Sequence, residues 1–331
     1  MSCSLSPGLS AIAAPGKEKR FFSVVIPLYN KEKSITIALN SVLSQTHEAF
    51  EVVVIDDGST DQSASVVAAV RDDRVRLIRQ PNAGVSVARN AGVKHALSDY
   101  IAFIDADDYW QPDFLETIDG LIEMNPGAGV FATAVDVERE DGRIVRAKLE
   151  PGVAAMPPGQ LQHYFRAATL CLEPPFNSSS VCISRAAFGG VGGFKPGVKI
   201  GEDQDMWARL ALRYPVMFTP EPKVVYRYTA ENRAIGGALP LTPWVFHEEV
   251  SRLLASGGLP PDIANDVIEH VARIDLCTAA ANLLNPDSKA VLSFLQGLNT
   301  KAFPRKKLLI ALFMWLPFPL RKAIVAALGK K

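Results

Sequence analysis

At 331 residues the chain has room for one large α/β domain and a smaller addition. Its 35 basic and 35 acidic side chains cancel, which excludes a global field drawing it to nucleic acid. Four cysteines, Cys3, Cys171, Cys182 and Cys277, stand far apart without a C-x-x-C pair, so neither a zinc site nor a disulfide framework is indicated and a reducing cytoplasm fits.

Residues 1–20, rich in Ser, Ala, Gly and Pro and closing on K-E-K-R, lack the apolar centre of a secretory signal and are expected to form a disordered leader. Phe22–Pro27 is a short apolar run of strand formers, followed by the polar turn Tyr29-Asn30-Lys31. Ile35, Leu39, Val42 and Leu43 then recur at helical spacing. A second strand, Glu51–Ile55, ends in D-D-G-S-T-D at 56–61, where Thr60 or Asp61 can cap a helix marked by Val66, Val67 and Val70. Val75–Ile78 is a third strand. After Asn82-Ala83-Gly84, a helix carrying Val85, Ala88, Arg89 and Gly92 leads into a fourth at Tyr100.

That fourth strand runs into Asp105-Ala106-Asp107-Asp108. On an extended backbone alternate residues share a face, so Asp105 and Asp107 converge while Ala106 keeps clear. Converging carboxylates repel unless a cation lies between them, and oxygen-only donors suit Mg2+ or Mn2+, which keeps its other positions for water and phosphates. Strands alternating with helices predict a mostly parallel sheet with helices on both faces, and ligands bind beyond the carboxyl ends of such strands. The polar clusters after strands one, two and four all fall there. No G-x-G-x-x-G follows the first strand and no P-loop motif occurs, which disfavours a dinucleotide fold and a P-loop NTPase.

Further on, Pro112–Met124 reads as a helix, and Asp141-Gly142 marks a hairpin between Val135–Arg139 and Arg143–Leu149. Pro151–Pro175 reads as loop and helix, Ser178–Ser184 as a strand, and Gly189–Gly193 as a flexible, mobile acceptor-side loop. Gly201-Glu202-Asp203-Gln204-Asp205 opens a helix with Met206, Trp207, Leu210 and Ala211 inward. Beyond Asn232 the pattern is helical: Trp244–Ala255, Ile263–Leu284, Lys289–Leu298. Leu308–Leu320 holds thirteen apolar residues between Arg305-Lys306-Lys307 and Arg321-Lys322, interrupted by Pro317 and Pro319. It is too short to span a bilayer, which needs about 20 residues. A helix in the membrane interface and a core or dimer helix both fit.

Taken in order, V-V-I-P-L-Y-N, S-V-L-S-Q-T, V-V-V-I-D-D-G-S-T-D, N-A-G-V-S-V-A-R-N, Y-I-A-F-I-D-A-D-D and G-E-D-Q-D-M-W-A-R-L resemble the inverting glycosyltransferases of family 2 with the GT-A fold, from about Phe21 to Tyr228. The resemblance implies a GT-A domain over 21–230, while the helical pattern alone assigns 231–331 to a helical region. It implies a nucleotide-sugar donor, Mg2+ or Mn2+ on Asp105 and Asp107, and inversion at the transferred carbon. By the same resemblance Pro27, Tyr29 and Glu32 line a nucleoside pocket, Asp57 meets a pyrimidine ring, and Arg89 and Asp105 approach the nucleotide. A carboxylate at Asp57 would accept the ring N–H of uracil, pointing to a UDP-sugar. Asp203 matches the family's base, Glu202 falls to acceptor contact or structure, and Asp205 to a cap or helix contact.

Two departures stand out. The His that often follows a Y-R pair is replaced in Tyr226-Arg227-Tyr228-Thr229-Ala230, leaving Arg227 or Tyr228 as phosphate contacts. The Q-x-x-R-W motif of processive synthases is missing, which implies transfer of a single sugar to a saccharide or glycolipid acceptor. The enzyme is expected in the cytoplasm, with the inner membrane face as a further option. Two other readings are a sugar-phosphate nucleotidyltransferase, which would need a glycine-rich basic loop where P-L-Y-N-K-E-K stands, and a non-catalytic nucleotide-sugar-binding scaffold in a membrane assembly.

Overall fold

A computed structural model of the protein describes residues 19–328 apart from 172–173, 199, 229–239 and 243. The expected leader falls almost wholly outside these residues, as do Thr229-Ala230 and the boundary at 230. Ten strands form one mixed sheet: β1 Phe22–Leu28, β2 Phe50–Asp57, β3 Val75–Gln80, β4 Tyr100–Phe103, β5 Tyr109–Trp110, β6 Val130–Glu138, β7 Ile144–Arg146, β8 Gly159–Gln160, β9 Val181–Ser184 and β10 Val216–Arg227. Their order is β3-β2-β1-β4-β9-β6-β10-β5, with β7 on β6 and β8 on β10.

The first four strands are parallel neighbours, as is the long β6–β10 pair. β9 runs antiparallel between β4 and β6. Every residue of β1 and β2 is buried, which is why both read as continuous apolar runs. Alternation sorts them between two cores. Val24, Ile26, Val52 and Val54 pack with helices Ile35–Leu43 and Phe114–Met124, while Val25 and Phe103 face the layer containing Phe165, Phe194 and Trp207.

Pro27 is tolerated inside the sheet because the β1–β4 pairing ends at Val25, so its missing N–H costs no ladder bond on that side. Helix Val85–His95 lies so close to β1 that a Cβ on Gly92 would stand 2.2 Å from Val25 Cγ1. Glycine is what allows that approach.

Three expectations change. Ser178–Ser180 is a 3-10 turn before β9, closed by reciprocal bonds between Asn177 and Ser180. The Gly189–Gly193 stretch is the end of helix Arg185–Val191, capped by Gly192 in the left-handed region, rather than a free loop. The apolar C-terminal run is two helices, Pro304–Met314 and Phe318–Leu328, broken at Pro317, which cannot continue the first. Helices His247–Ala255, Pro261–Ala281 and Ser288–Gln296 precede them, so the chain carries the expected C-terminal helical extension. Among the described residues no helix is long and apolar enough to cross a membrane.

Candidate active site

The loops after β1 and β2 are laced together by side chains accepting backbone bonds. Asn30, at φ 50° in the left-handed region, accepts from Thr60 N at 2.8 Å, Ser63 Oγ from Lys31 N at 2.7 Å, and Asp61 from Glu32 N at 3.2 Å. Glu32 in turn accepts from Gln62 N at 2.8 Å. Asp57 is buried and holds the next loop: Oδ1 accepts from Gln80 and Ala83 N, and Oδ2 from Gly84 N. A carboxylate has about four acceptor directions, so one remains for a ring N–H. Tyr29, just after β1, is 45% exposed, and Pro27 is buried within β1.

Asp105 and Asp107 meet by a different route from the expected strand alternation. β4 stops at Phe103, and Asp108 N donates to Asp105 O at 3.1 Å, so the carboxylates sit on a tight turn with Ala106 in the core. Ser179, on the 3-10 turn, fixes it: Asp105 N donates to its hydroxyl at 3.0 Å, and the hydroxyl donates to Asp108. Asp108 also accepts from Arg227 N, so both its oxygens are engaged.

Two cations balance the turn. Lys31 Nζ donates to Asp107 at 2.6 Å, and Arg89 Nη2 to Asp105 Oδ1 at 2.8 Å. Burial and the Asp105 charge still push the Asp107 carboxyl up, and burial with both neighbours pushes Asp108 well up. The cluster therefore carries more negative charge than the protein neutralises. Hard oxygen donors with residual repulsion fit a divalent cation. Among the described residues no group of three or more His, Cys, Asp or Glu is arranged to hold a metal ion by itself.

Arg89 is buried rather than extended toward solvent. Its guanidinium bridges Asp105 and, at 2.9 Å, Glu202, and lies over the Phe194 ring. Burial opposes its charge, and Asp105 and Glu202 more than compensate, raising its pKa above the ordinary arginine value. Arg89, expected near the nucleotide, also ties the acidic turn to the helix Glu202–Ala211.

That helix starts at Gly201, at φ 78°, where a Cβ would meet Trp244 Nε1 at 3.0 Å. Trp244 donates to Gly201 O, so the C-terminal region braces the helix start. Asp203 follows, half-buried. Burial, with the Glu202 carboxylate adding repulsion, pushes it up to about 7. Asp205 is fully buried and paired with Arg209 and Lys195 at 2.6 and 2.9 Å, a helix contact as expected. Arg227 pairs with Glu138 at 3.1 Å, and Tyr228 N donates to Glu138 O.

Sequence reasoning missed Lys31, Ser179 and Trp244. Lys31 had a signal, its place between Tyr29 and Glu32 at a strand end. Ser179 and Trp244 had none, since both act across long sequence separations.

The profile of the family described as Glycosyl transferase family 2 matches residues 23–188, about half of the chain. The chain belongs to that family. The match stops before the helix that carries Asp203. An uncharacterized glycosyltransferase of Nostoc sp., alr2836, is 37% identical over 131 residues, covering 39% of this chain and 41% of that protein. The uncharacterized glycosyltransferase YibD of Escherichia coli K12 is 44% identical over 98 residues, covering 29% and 28%. The matched region thus spans less than half the length of these relatives. Among solved structures, S. aureus TarS 1-349 in complex with UDP-GlcNAc is similar with a TM-score of 0.66 and 22% identity, over 84% of this chain and 82% of that one. The fold is of the GT-A type.

Proposed function

We propose that this protein is a metal-dependent, inverting glycosyltransferase that moves one sugar from a nucleotide-sugar, with UDP as the nucleotide, to a hydroxyl of a saccharide or lipid-linked acceptor. The observation that carries this reading is the join made by Arg89. It binds Asp105 on the acidic turn and Glu202 next to Asp203, so a metal-type carboxylate pair and a carboxylate titrating near neutral pH share one end of the sheet.

The GT-A domain is assigned to residues 21–230 and the helical region to 231–331. Tyr29 and Asp57 take the base, and Pro27 and Glu32 shape the floor beneath it. That the similar S. aureus TarS has been solved with UDP-GlcNAc and with UDP supports a UDP-sugar. Asp105 and Asp107 would hold Mg2+ or Mn2+. Bound there, the ion stabilises the charge that develops on the departing diphosphate. Lys31, 2.6 Å from Asp107, adds a second positive charge beside the same phosphates.

Asp203 accepts the acceptor hydroxyl's proton as that oxygen attacks the anomeric carbon from the face opposite the nucleotide. A base titrating near 7 is matched to this task at physiological pH. A lipid-linked acceptor would place the enzyme at the cytoplasmic face of the membrane. The test is release of nucleoside diphosphate from UDP-sugars with Mn2+ and a panel of acceptors, by wild type and Asp203→Asn. A nucleotidyltransferase would instead make nucleotide-sugar and pyrophosphate from a sugar phosphate and UTP.

A further inference from the structure

Helix Pro304–Met314 is apolar around most of its circumference, yet protein covers only one side. Ile310 and Met314, four residues apart, are buried against Leu276, Val291 and Leu295. Leu308, Leu312 and Trp315 recur at the i, i+4, i+7 spacing of the opposite stripe, with Leu309 beside them. All four are exposed, Leu309 by 66% and Trp315 by 77%. After the break at Pro317, Phe318 and Leu320 extend the exposed surface. An apolar helix of this kind is normally buried on all sides, in a protein core or in lipid, and a patch this continuous marks an interaction surface.

The surface is held firmly rather than dangling. Arg321 is buried, and its guanidinium donates to Leu283 O, Asn285 O and Ser288 Oγ, each at 2.9 Å. That clamp fixes both helices against the preceding pair. It leaves the outer stripe displayed.

Charge decides the occupant. The whole chain is neutral, but residues 288–331 contain nine Lys and Arg and no Asp or Glu. Arg305, Lys306 and Lys322 are exposed beside the apolar stripe. In a two-fold dimer the same patch meets itself, which would bring these basic clusters together. Anionic headgroups complement them instead.

We propose that the outer face of helices Pro304–Met314 and Phe318–Leu328 docks on an anionic lipid bilayer. Leu308, Leu309, Leu312, Trp315 and Phe318 enter the interface, and Arg305, Lys306 and Lys322 stand at headgroup level. No helix among the described residues is both long and apolar enough to cross, and in this proposal the protein lies on the surface through this face. This deepens the membrane placement in the function proposed above, and its test reads lipid binding without turnover, so the two can fail separately.

The full-length protein is mixed with vesicles of phosphatidylcholine alone, or with about one-third phosphatidylglycerol, and sedimented. Trp110, Trp207 and Trp244 are buried, so a blue shift of emission on mixing reports Trp315. The expected result is a blue shift and binding roughly tenfold or more stronger to the anionic vesicles, reduced by salt. Leu309→Gln with Trp315→Gln should abolish it while the circular-dichroism melt stays unchanged. The fully surface variant Arg305→Glu with Lys306→Glu should lose the preference for anionic lipid. Protein that stays in the supernatant with both vesicles, or binding that survives all four substitutions, overturns the proposal. So does a concentration-dependent dimer dissociated by the Leu309/Trp315 variant, which would assign the face to a second copy.

Discussion

A single carboxylate at the start of a helix would ordinarily remain ionised, because unpaired N–H groups favour it there. Asp203 does not follow that rule, since burial and Glu202 outweigh the bond from Gln204 N and the nearby Arg89 charge. Turnover should therefore rise with pH to a plateau with a midpoint near 7. Asp203→Asn should lower it about 10²–10⁴-fold and remove that limb while donor binding persists. The same shift bears on stability with a defined sign. The folded carboxyl holds its proton more tightly than the unfolded one, so this contribution is full below the ordinary aspartate value near 4 and is lost as pH rises toward 7. Asp203→Asn should thus melt a few degrees above wild type at pH 8, by a margin that shrinks toward pH 4, measured by calorimetry. A lower melting temperature at pH 8 would mean that the ionised group is stabilising after all. At the acidic turn, Asp107→Ala should remove the gain in UDP affinity that wild type shows on adding Mn2+ over excess chelator, because one of two carboxylates cannot hold the ion alone. Titration calorimetry reads this directly.

At the scale of elements, the helix Val85–His95 positions Arg89, and its distance from β1 is set where Gly92 faces Val25. Gly92→Ala would drive a methyl into Val25 Cγ1. The expected cost is about 1–3 kcal/mol, with turnover falling as Arg89 shifts from Asp105. Val25→Ala on the same chain should restore part of both, a coupling that thermal melts and rates of the four-member cycle would measure. Sequence patterns read this layer well because the parallel strands advertise themselves: V-V-I at β1 and V-V-V-I at β2 are buried throughout, and the polar residues that follow them mark the carboxyl edge of the sheet. They read the connections poorly. Strand alternation suggested the right convergence of Asp105 and Asp107 for the wrong backbone, since the turn depends on a bond from Asp108 N and on Ser179, 74 residues from Asp105. Arg89 was legible as a helix residue beside the strand ends, but its partner Glu202 lies 113 residues away, and no local pattern encodes that pairing.

Across the whole molecule, the C-terminal helices connect to the start of the Asp203 helix through the helix Pro261–Ala281. Asp275 on that helix accepts from Trp244 N at 3.3 Å, and Trp244 donates through its ring to Gly201 O at 3.1 Å, at the start of the Asp203 helix. The last two helices close the far side of the same helix, where Leu276 and Ala279 pack with Ile310 and Met314. Ending the chain at Asn299 would uncover that cluster and remove the Arg321 clamp on Leu283 O and Asn285 O. Burying Ile310 and Met314 contributes about 1.5–3 kcal/mol each, and each hydrogen bond from the charged Arg321 guanidinium to a carbonyl about 1.5–3 kcal/mol. Such a truncation should aggregate or melt several degrees lower, with weaker protection of residues 261–281 in hydrogen exchange. Arg321→Ala in the full-length chain should give a smaller effect of the same kind, with the exposed stripe still present. A truncated protein that remained monomeric with an unchanged melt would show that the tail is joined to the fold only in passing.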